Sequence, residues 1–349
     1  MTASLPRRRS RFWLYAPFIL LAAAAAAWSV FWFTVQGRVV EAVDKALARE
    51  AQLGRNWSCG DRSVAGFPFR IELRCASLAL TSSRWGEAVR IETGPAVALG
   101  QVYTPGLVIL QVTGPLKARL PQERLLDMGW GRFEASLTHD GSEPQRLSLV
   151  LAEPNATLTA PGQAAESWRA AAFEAHLRRS PTRPAAEQAV DIAISAKNSV
   201  LPALDAILGT TDPGDVSIEA VVTQADAFRG GFNPDTLESW RSATGQIEVT
   251  KLSSVKGPAR VEAAGRLLLD QTRRPAGEIQ ASLAGIKQIA GLPVGGLMSG
   301  LGGLLGGRLS AQLPGAAPGL TALPPVVLRE GRVYLGPIRL PLQPLAPLY

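Results

Sequence analysis

The uncharged run from Phe12 to Val35 constrains this chain more than any other feature of its sequence. It contains 24 successive residues without a charge. A helix of that length rises about 36 Å, which is enough to cross a hydrocarbon core of about 30 Å with some tilt. Aromatic residues lie near both ends of the run, where amphipathic rings prefer the headgroup level. We therefore predict a transmembrane helix over residues 12–35.

Basic residues before this run predict its orientation. Four arginines form the topology signal: Arg7, Arg8, Arg9 and Arg11. By the positive-inside rule, residues 1–11 form a cytoplasmic basic tail and the chain beyond the helix is exported. A cleavable signal peptide is the alternative, because arginines followed by alanines resemble one. We favour the uncleaved anchor, since the apolar run is longer than that of a signal peptide and continues beyond the alanines.

Charge and composition exclude several classes of function. The formal net charge is +7, but the four N-terminal arginines account for more than half of it, so the exported part carries only about +3. No Lys/Arg cluster with interleaved aromatic residues follows, and we predict no nucleic-acid partner. The two histidines, His139 and His176, are too few for a histidine-rich metal site, and no metal ligand set is predicted.

The sequence patterns of common catalytic sites do not occur in the chain. It has no Gly-x-Ser-x-Gly elbow, no Gly-x4-Gly-Lys-Ser/Thr phosphate loop and no His-Glu-x-x-His pair. His139 falls at a turn signal and His176 in an alternating run, where solvated histidines are expected. We therefore predict that the protein is not an enzyme, has no catalytic residue and needs no cofactor.

The two cysteines, Cys59 and Cys75, are close in sequence and lie in the exported part. In an oxidising compartment we expect them to form a disulfide. Closing a loop of about 15 residues contributes roughly 3 kcal/mol in the chain-entropy model. Two buried thiols are the alternative.

Residues 36–54 continue beyond the apolar run with good helix formers and apolar residues at nearly helical spacing. This predicts a juxtamembrane helix that ends near Gly54 and lifts the rest of the chain from the bilayer. A mobile linker is the alternative, which the helix propensities disfavour.

Beyond residue 55 the sequence alternates between apolar and polar residues in short runs. Phe67–Leu80, for example, places Phe67, Phe69 and Ile71 on one face, which predicts a half-buried strand. Gly, Pro, Asn and Asp separate the runs, and the pattern predicts a mainly β domain over residues 55–349 with a long antiparallel sheet. Three short helices are predicted to interrupt or cover it: Gln122–Met128, Leu201–Leu208 and Phe232–Trp240.

The segment 286–309 is apolar and rich in glycine and leucine. Its small-residue spacing suits a second membrane helix. Its many glycines, its proline and the flanking charges favour instead a loosely helical segment that covers the sheet or touches the membrane surface.

A group of residues near the first strand carries a resemblance to a known family. It consists of Trp57, Cys59, Gly66, Phe67, Pro68, Phe69, Arg70 and Cys75. Their order after an N-terminal anchor resembles an alphaproteobacterial family of unknown function (domain of unknown function 2125), and Gly331 to Pro337 looks like its closing element. The units at 264–270 and 277–285 are similar to the strand-turn-strand units of AsmA-type envelope proteins.

The resemblance implies an inner-membrane protein with its main domain in the periplasm. The AsmA likeness implies a curved sheet, forming a half-barrel or groove, whose apolar concave face can hold acyl chains. AsmA-type proteins are linked with phospholipid movement and outer-membrane assembly, but this chain is far too short to span a periplasm.

Two functions follow from these expectations. The first is a non-catalytic module for cell-envelope maintenance that binds a phospholipid or another amphiphile, with Phe67 and Phe69 at the entrance for a lipid tail. The alternative is a structural or protein-interaction component of the envelope that binds no ligand and contacts a protein partner through residues 286–309. A purely structural corner is the simpler interpretation of the Gly66–Arg70 motif, since Gly66 permits a bend and Pro68 removes a ladder donor.

Overall fold

A computed structural model describes residues 12–85, 87–141, 143–286, 288–289, 292–293, 319–340 and 342–349. One long helix leads into two large antiparallel sheets that do not close on themselves. This confirms the predicted fold class, a mainly β chain with an N-terminal apolar helix and few short helices. The four arginines of the topology signal lie outside the described residues, and so does most of the segment 286–309.

Helix α1 runs without interruption over Phe12–Gln52, a length of 41 residues. It is long and apolar enough to cross a membrane. The predicted membrane-spanning and juxtamembrane segments are therefore successive parts of one helix. The other helices are α2 and α3 and two 3-10 turns: Pro202–Leu208, Pro234–Ser242, Ala185–Glu187 and Ala225–Gly230.

The strands are distributed over two large sheets and one small hairpin. The smaller sheet contains, in spatial order, β1 (Arg55–Gly60), β4 (Ser77–Trp85), β5 (Glu87–Thr93), β8 (Leu116–Leu120), β9 (Arg124–Gly129), β12 (Asn155–Thr159) and β13 (Glu166–Arg169). The larger sheet contains β2 (Ser63–Ala65), β3 (Arg70–Cys75), β6 (Ala96–Gln101), β7 (Thr104–Val112), β10 (Arg132–Asp140), β11 (Glu143–Ala152), β14 (Ala172–Arg179), β15 (Val190–Ser199), β16 (Gly214–Val222), β17 (Ile247–Lys256), β18 (Ala259–Leu269), β19 (Pro275–Ala284), β23 (Val326–Arg329), β24 (Arg332–Leu335) and β25 (Ile338–Arg339), with β22 (Thr321–Ala322) also paired to β19. The hairpin joins β20 (Gln288–Ile289) and β21 (Leu292–Pro293).

The first half of the domain crosses repeatedly between the two sheets. Each crossing occupies one to three residues between two strands. We call these breaks together the crease: Asp61–Arg62, Ala76, Gly94–Pro95, Thr113–Pro115, Trp130–Gly131, Glu153–Pro154 and Ala170–Ala171. Glycine and proline suit these positions, because proline cannot donate to a ladder and glycine allows close approach of two backbones. A Cβ atom at Gly94, for instance, would lie 2.8 Å from the carbonyl oxygen of Thr113.

Two sequence predictions of individual elements are wrong. The predicted strand Phe67–Leu80 begins only at Arg70 and breaks at Ala76, so that Phe67 and Phe69 lie in a turn. The predicted helix Gln122–Met128 is instead a tight turn followed by β9, because Gln122 and Glu123 take positive φ angles of 61° and 55°.

The other two short helices are confirmed as α2 and α3. Asn233 caps α3, where its side chain accepts hydrogen bonds from the backbone N–H groups of Asp235 and Thr236 at 3.0 and 3.2 Å. Glu330 and Gly331 form the turn between β23 and β24.

The main core of the first half lies along the crease. Its buried apolar side chains belong to strand ends and breaks: Cys75, Ala96, Val112, Leu151, Pro154 and Ala170. The predicted disulfide between Cys59 and Cys75 is present and ties β1 of the smaller sheet to β3 of the larger sheet. The crease is therefore fixed both by packing and by a covalent bond.

Candidate functional site

One face of the larger sheet is apolar across most of its width. Directly opposed residues of antiparallel strands place their side chains on the same face of the sheet. The pairing of residues from strand to strand therefore identifies all the side chains that share one face. One row crosses from β3 to β19: Leu73, Ala98, Leu110, Ala135, Leu149, Ala175, Ile194, Ile218, Leu252, Ala263 and Ala281. A second row crosses from β3 to β24: Ile71, Gly100, Val108, Leu137, Leu147, Leu177, Ile192, Ala220, Val249, Gly265, Ile279, Val326 and Leu335. We call these two rows the apolar face.

Most side chains of the apolar face are only half-buried. Partly exposed side chains in the first row include those of Leu149, Ala175 and Ile194. In the second row, Leu147 is 43% exposed. Soluble proteins rarely leave a contiguous apolar surface of this size open, and such surfaces mark sites for ligands, partners or membranes.

The opposite face of the same sheet is polar. Its corresponding row runs through Gln111, Glu134, Val150, Glu174, Ser195, Ser217, Ser253, Glu262 and Ser282. An open cavity of about 390 Å³ lies on this side, and its charged lining mixes Arg146 and Arg178 with Asp191 and Glu219. The sheet is therefore amphipathic from β7 to β19, and side chains on both of its faces are partly exposed among the described residues.

The smaller sheet has an apolar face of its own. Its row contains Trp57, Leu80, Ile91, Ala118, Leu126 and Leu158. Two contacts join this face to the apolar face of the larger sheet at the crease. One is the Cys59–Cys75 disulfide, and the other is the edge-to-face pair of Trp168 and Phe173, whose ring centroids are 6.0 Å apart. The inside of the crease is thus apolar on both sides.

Helix α2 covers one end of the apolar face in the second half of the domain. Leu208 of α2 packs in a buried cluster with Ala259, Leu283 and Ile286. Beneath α2, the fully buried Lys256 forms an ion pair with Asp205 and donates a hydrogen bond of 3.0 Å to the carbonyl oxygen of Ser199. The ion pair links α2 to β17, and removing either partner would leave the other charge buried without compensation.

This buried ion pair was not anticipated from the sequence. Lys256 follows Leu252 and Ser254 at spacings of two. Its side chain therefore lies on the same face of β17 as Leu252, which is the apolar face. A lysine in that phase is unusual, because a buried ammonium group needs a partner. Its partner, Asp205, lies on a helix that is more than 50 residues earlier in the sequence, and no local pattern links the two.

The segment 223–246 connects the tips of the two sheets. Arg229 pairs with Glu143 at the tip of β11, and Arg55 of β1 donates a hydrogen bond of 3.4 Å to the carbonyl oxygen of Gly230. Burial raises the pKa of Asp226, but hydrogen bonds from Arg229 and Arg179 outweigh it and hold that pKa below its ordinary value. These contacts keep the segment between β1 and the larger sheet.

An aromatic cluster anchors the same segment. The rings of Phe228 and Phe232 stack with centroids 5.8 Å apart, and Phe228 also contacts Trp240 at 5.8 Å. Trp240 is buried and donates a hydrogen bond of 2.7 Å from its indole to the carbonyl oxygen of Thr223. Phe232 stays 66% exposed.

The sequence motif Gly66–Arg70 forms a turn that packs against α1. The indole of Trp28 donates a hydrogen bond of 2.9 Å to the carbonyl oxygen of Pro68, and the indole of Trp32 donates one of 3.1 Å to that of Arg70. Glycine is required at position 66, because its φ is 106° and a Cβ atom would lie 2.6 Å from the carbonyl oxygen of Arg70. The motif therefore serves to join the first hairpin to the helix.

The two phenylalanines of the motif contact aromatic rings of α1. Phe67 packs edge-on against Trp32 at 5.4 Å and stacks with Phe33 at 6.1 Å, while Phe69 lies 6.3 Å from Trp28. Neither phenylalanine belongs to the two rows of the apolar face. Trp57, the other aromatic residue of the motif, lies apart from them on the smaller sheet, where its indole donates to Glu50.

Each histidine side chain has one polar contact in the described part of the chain. His139 contacts the carbonyl oxygen of Gly141 at a hairpin tip, and His176 lies 3.3 Å from Glu174 on the polar face. Within the same described ranges, no group of three or more His, Cys, Asp or Glu side chains could hold a metal ion. The apolar face itself presents aliphatic side chains for contact with a ligand.

Comparison with known proteins places the chain in a family. The family described as "Uncharacterized protein conserved in bacteria (DUF2125)" matches residues 32–343, and the chain therefore belongs to it. The match begins at Trp32, one of the two tryptophans that hold the Gly66–Arg70 turn. No curated protein and no solved structure matches the chain.

Proposed function

We propose that this member of the uncharacterized DUF2125 family is a membrane-anchored, non-catalytic protein of the bacterial cell envelope whose apolar face binds acyl chains of a phospholipid or another amphiphile. The observation that supports the proposal is the continuous apolar face, which crosses eleven to thirteen strands and stays half-exposed among the described residues. An open sheet with one apolar face is also what the resemblance to AsmA-type proteins implies.

The dimensions of the apolar face suit an acyl chain. Neighbouring strands lie about 4.8 Å apart, so a row that crosses eleven strands extends about 48 Å. One leaflet of a bilayer contributes only about half of a 30 Å hydrocarbon core. Each methylene group that leaves water on such a surface contributes about 0.8 kcal/mol. A lipid tail could therefore lie along the face and gain affinity over its full length.

The location that we propose is the inner membrane, with the N-terminus in the cytoplasm and the β domain in the periplasm. The disulfide supports an oxidising compartment. The last part of the apolar helix supports an uncleaved anchor, because Val30 is 68% and Phe33 is 60% exposed beyond the alanine run. A bilayer accommodates such side chains, whereas water does not.

A pair of matched substitutions tests the proposal. Ala175 lies on the apolar face, opposite Leu149 and Ile194, whereas Ala193 lies on the polar face, opposite His176 and Glu219. Ala175→Phe fills part of the apolar face, and Ala193→Phe makes the same change on the other side. We expect native mass spectrometry of the full chain, released from detergent micelles, to show less retained phospholipid for Ala175→Phe alone.

Equal retention by both folded variants would remove the proposal of lipid binding on this face. A chain that retains no lipid and binds an envelope protein instead would support the alternative, a structural or protein-interaction component.

A further inference from the structure

We infer that the hairpin tips beside α1 insert into the periplasmic leaflet of the membrane that this helix crosses. The tips carry three exposed aromatic side chains that we call the aromatic rim: Phe67, Phe69 and Tyr103. The inference rests on the proposed membrane anchoring and names a second membrane contact in addition to the helix. The partner is the lipid bilayer itself.

The length of the helix sets the depth of the turn. The turn at residues 66–69 contacts α1 at Trp28 and Trp32. Residues 12–27, which precede these contacts, rise only about 24 Å, less than a hydrocarbon core of about 30 Å. The helix must therefore carry the contacted residues into the bilayer in order to cross it. The turn is bound to those residues and enters the leaflet with them.

The exposure of the aromatic rim agrees with this depth. Phe67 is 52%, Phe69 62% and Tyr103 67% exposed to solvent. Tyr103 lies on the adjacent hairpin tip, where the backbone N–H of Val102 donates to the carbonyl oxygen of Phe69 at 3.1 Å. Tyr103 suits the level of the headgroups, because one end of its ring is apolar and the other is polar, whereas the purely apolar rings of Phe67 and Phe69 suit the acyl region below it.

The polar groups of the turn are hydrogen-bonded or ion-paired, which lowers the cost of moving them into the low-dielectric interior of a leaflet. The carbonyl oxygens of Pro68 and Arg70 accept the two indole hydrogen bonds, and Pro68 has no N–H group to satisfy. The guanidinium group of Arg70 is paired with Glu72 and remains largely exposed, which suits the level of lipid phosphates. The turn can therefore enter the leaflet with few unsatisfied backbone groups.

This insertion would place the leaflet next to the apolar face. Ile71, the first residue of the second apolar row, follows the turn directly at the start of β3. Ile71 itself is buried, so an acyl chain that leaves the leaflet at the aromatic rim would first meet the half-buried Val108, two strands further along that row. The rim thus acts as the membrane side of the entrance, while the apolar rows provide the binding surface.

Nitroxide labels on the full chain in phospholipid nanodiscs test the inference. Both native cysteines are in the disulfide, so a single added cysteine can be labelled. We would label Phe69→Cys and Tyr103→Cys. Leu125→Cys, which is 50% exposed on the smaller sheet, serves as the water control, and Leu20→Cys, which is 73% exposed on α1, serves as the membrane control. Collisions with apolar oxygen and with a water-soluble nickel complex report the depth of each label.

We expect the labels at positions 69 and 103 to collide preferentially with oxygen, as the label at position 20 does, and the label at 125 to collide preferentially with nickel. Labels at 69 and 103 that behave like the one at 125, while position 20 lies in the hydrocarbon, would overturn the inference and leave the proposed anchoring intact. If position 20 is also in water, the inference and the anchoring both fail. Lipid retention by the apolar face is measured separately with Ala175→Phe.

Discussion

The two halves of the β domain protect their apolar face in different ways. Between residues 55 and 179 the hairpins cross to a second sheet, and the disulfide and the crease bring two apolar faces together. Between residues 190 and 340 the described strands belong to the larger sheet, apart from the β20–β21 hairpin, and α2 covers one end over the buried Lys256–Asp205 pair. Among the residues that the structure describes, neither solution covers the middle of the face, and we propose that this part binds lipid.

The difference follows from where the chain places its breaks. Gly94–Pro95, Thr113–Pro115 and Glu153–Pro154 interrupt long hairpins in the first half. Strands β15 to β19 run for nine to eleven residues each without such an interruption. A creased sheet can bury its own apolar side, whereas an uninterrupted sheet needs a helix or a ligand.

The largest effect on stability is expected in the second half. Asp205→Ala leaves the ammonium group of Lys256 buried without its partner, and such a change costs about 3–5 kcal/mol. Denaturant unfolding of the full chain in detergent would measure the loss.

Asp215→Ala is the matched control for this change. It removes the exposed ion pair with Lys197 and a hydrogen bond of 2.9 Å from the backbone N–H of Asn198, and exposed pairs contribute only about 0–1 kcal/mol and a hydrogen bond about 0.5–1.5 kcal/mol. Equal losses for Asp205→Ala and Asp215→Ala would show that the ion pair under α2 does not hold the second half together.

The next largest effect is expected in the first half. Replacing both cysteines, Cys59→Ser with Cys75→Ser, releases a cross-link between residues 16 apart in the sequence and should cost about 3 kcal/mol. Hydrogen exchange would locate the effect, with faster exchange in β1, β3 and β4 and little change in β17 to β19. Faster exchange spread evenly over both halves would contradict our account, in which the disulfide stabilises the first half and not the second.

A smaller effect is expected at the start of α3. Asn233→Ala removes the side chain that accepts from two backbone N–H groups and should cost about 1 kcal/mol. Ser242→Ala, at the other end of the same helix, serves as the control because Ser242 lies outside the cap. Thermal unfolding that is unchanged by Asn233→Ala would mean that α3 contributes little to the second half.

The smallest effect is expected at the carboxyl end of the described chain. Hydrogen bonds from Arg241 and Tyr349 lower the pKa of Glu238 from 4.5 to about 2. Because this pKa is depressed in the folded state, the contribution of Glu238 is present above pH 4.5 and is lost as the pH falls towards 2. Tyr349→Phe should raise the pKa of Glu238, which an NMR titration would detect. An unchanged pKa would show that the tyrosine is not a functional partner of this carboxylate.

Much of the fold is predictable from the sequence, and the crease is not. The alternation of apolar and polar residues identifies the strands on both sides of each break. A break of one to three residues, however, resembles a continuation of the same strand in the sequence. In Phe67–Leu80, the apolar phase carries Ile71, Leu73 and Cys75 in one sheet and then shifts by one residue to Leu78 and Leu80 in the other. The period alone does not tell whether such a shift is a bulge or a change of sheet.

Two other features could not be predicted from local sequence patterns, because they depend on contacts with distant parts of the chain. Residues 122–128 contain good helix formers, yet Gln122 and Glu123 form a hairpin turn because β8 and β9 pair on either side of them. The contact between the Gly66–Arg70 turn and Trp28 joins parts of the chain 40 residues apart. The sequence did identify the motif as a corner, but its partner on α1 becomes apparent only when the hairpin is placed beside the helix.

The most direct test of lipid binding is photo-crosslinking with a phospholipid that carries a diazirine in its acyl chain, followed by peptide mapping of the full chain in a membrane. The account predicts labels on the apolar rows, at Leu149, Ala175, Ile194 and Ile218, and few labels on their polar neighbours Ser148, His176 and Ser195. Labels confined to α1, or spread equally over both faces of the sheet, would contradict it.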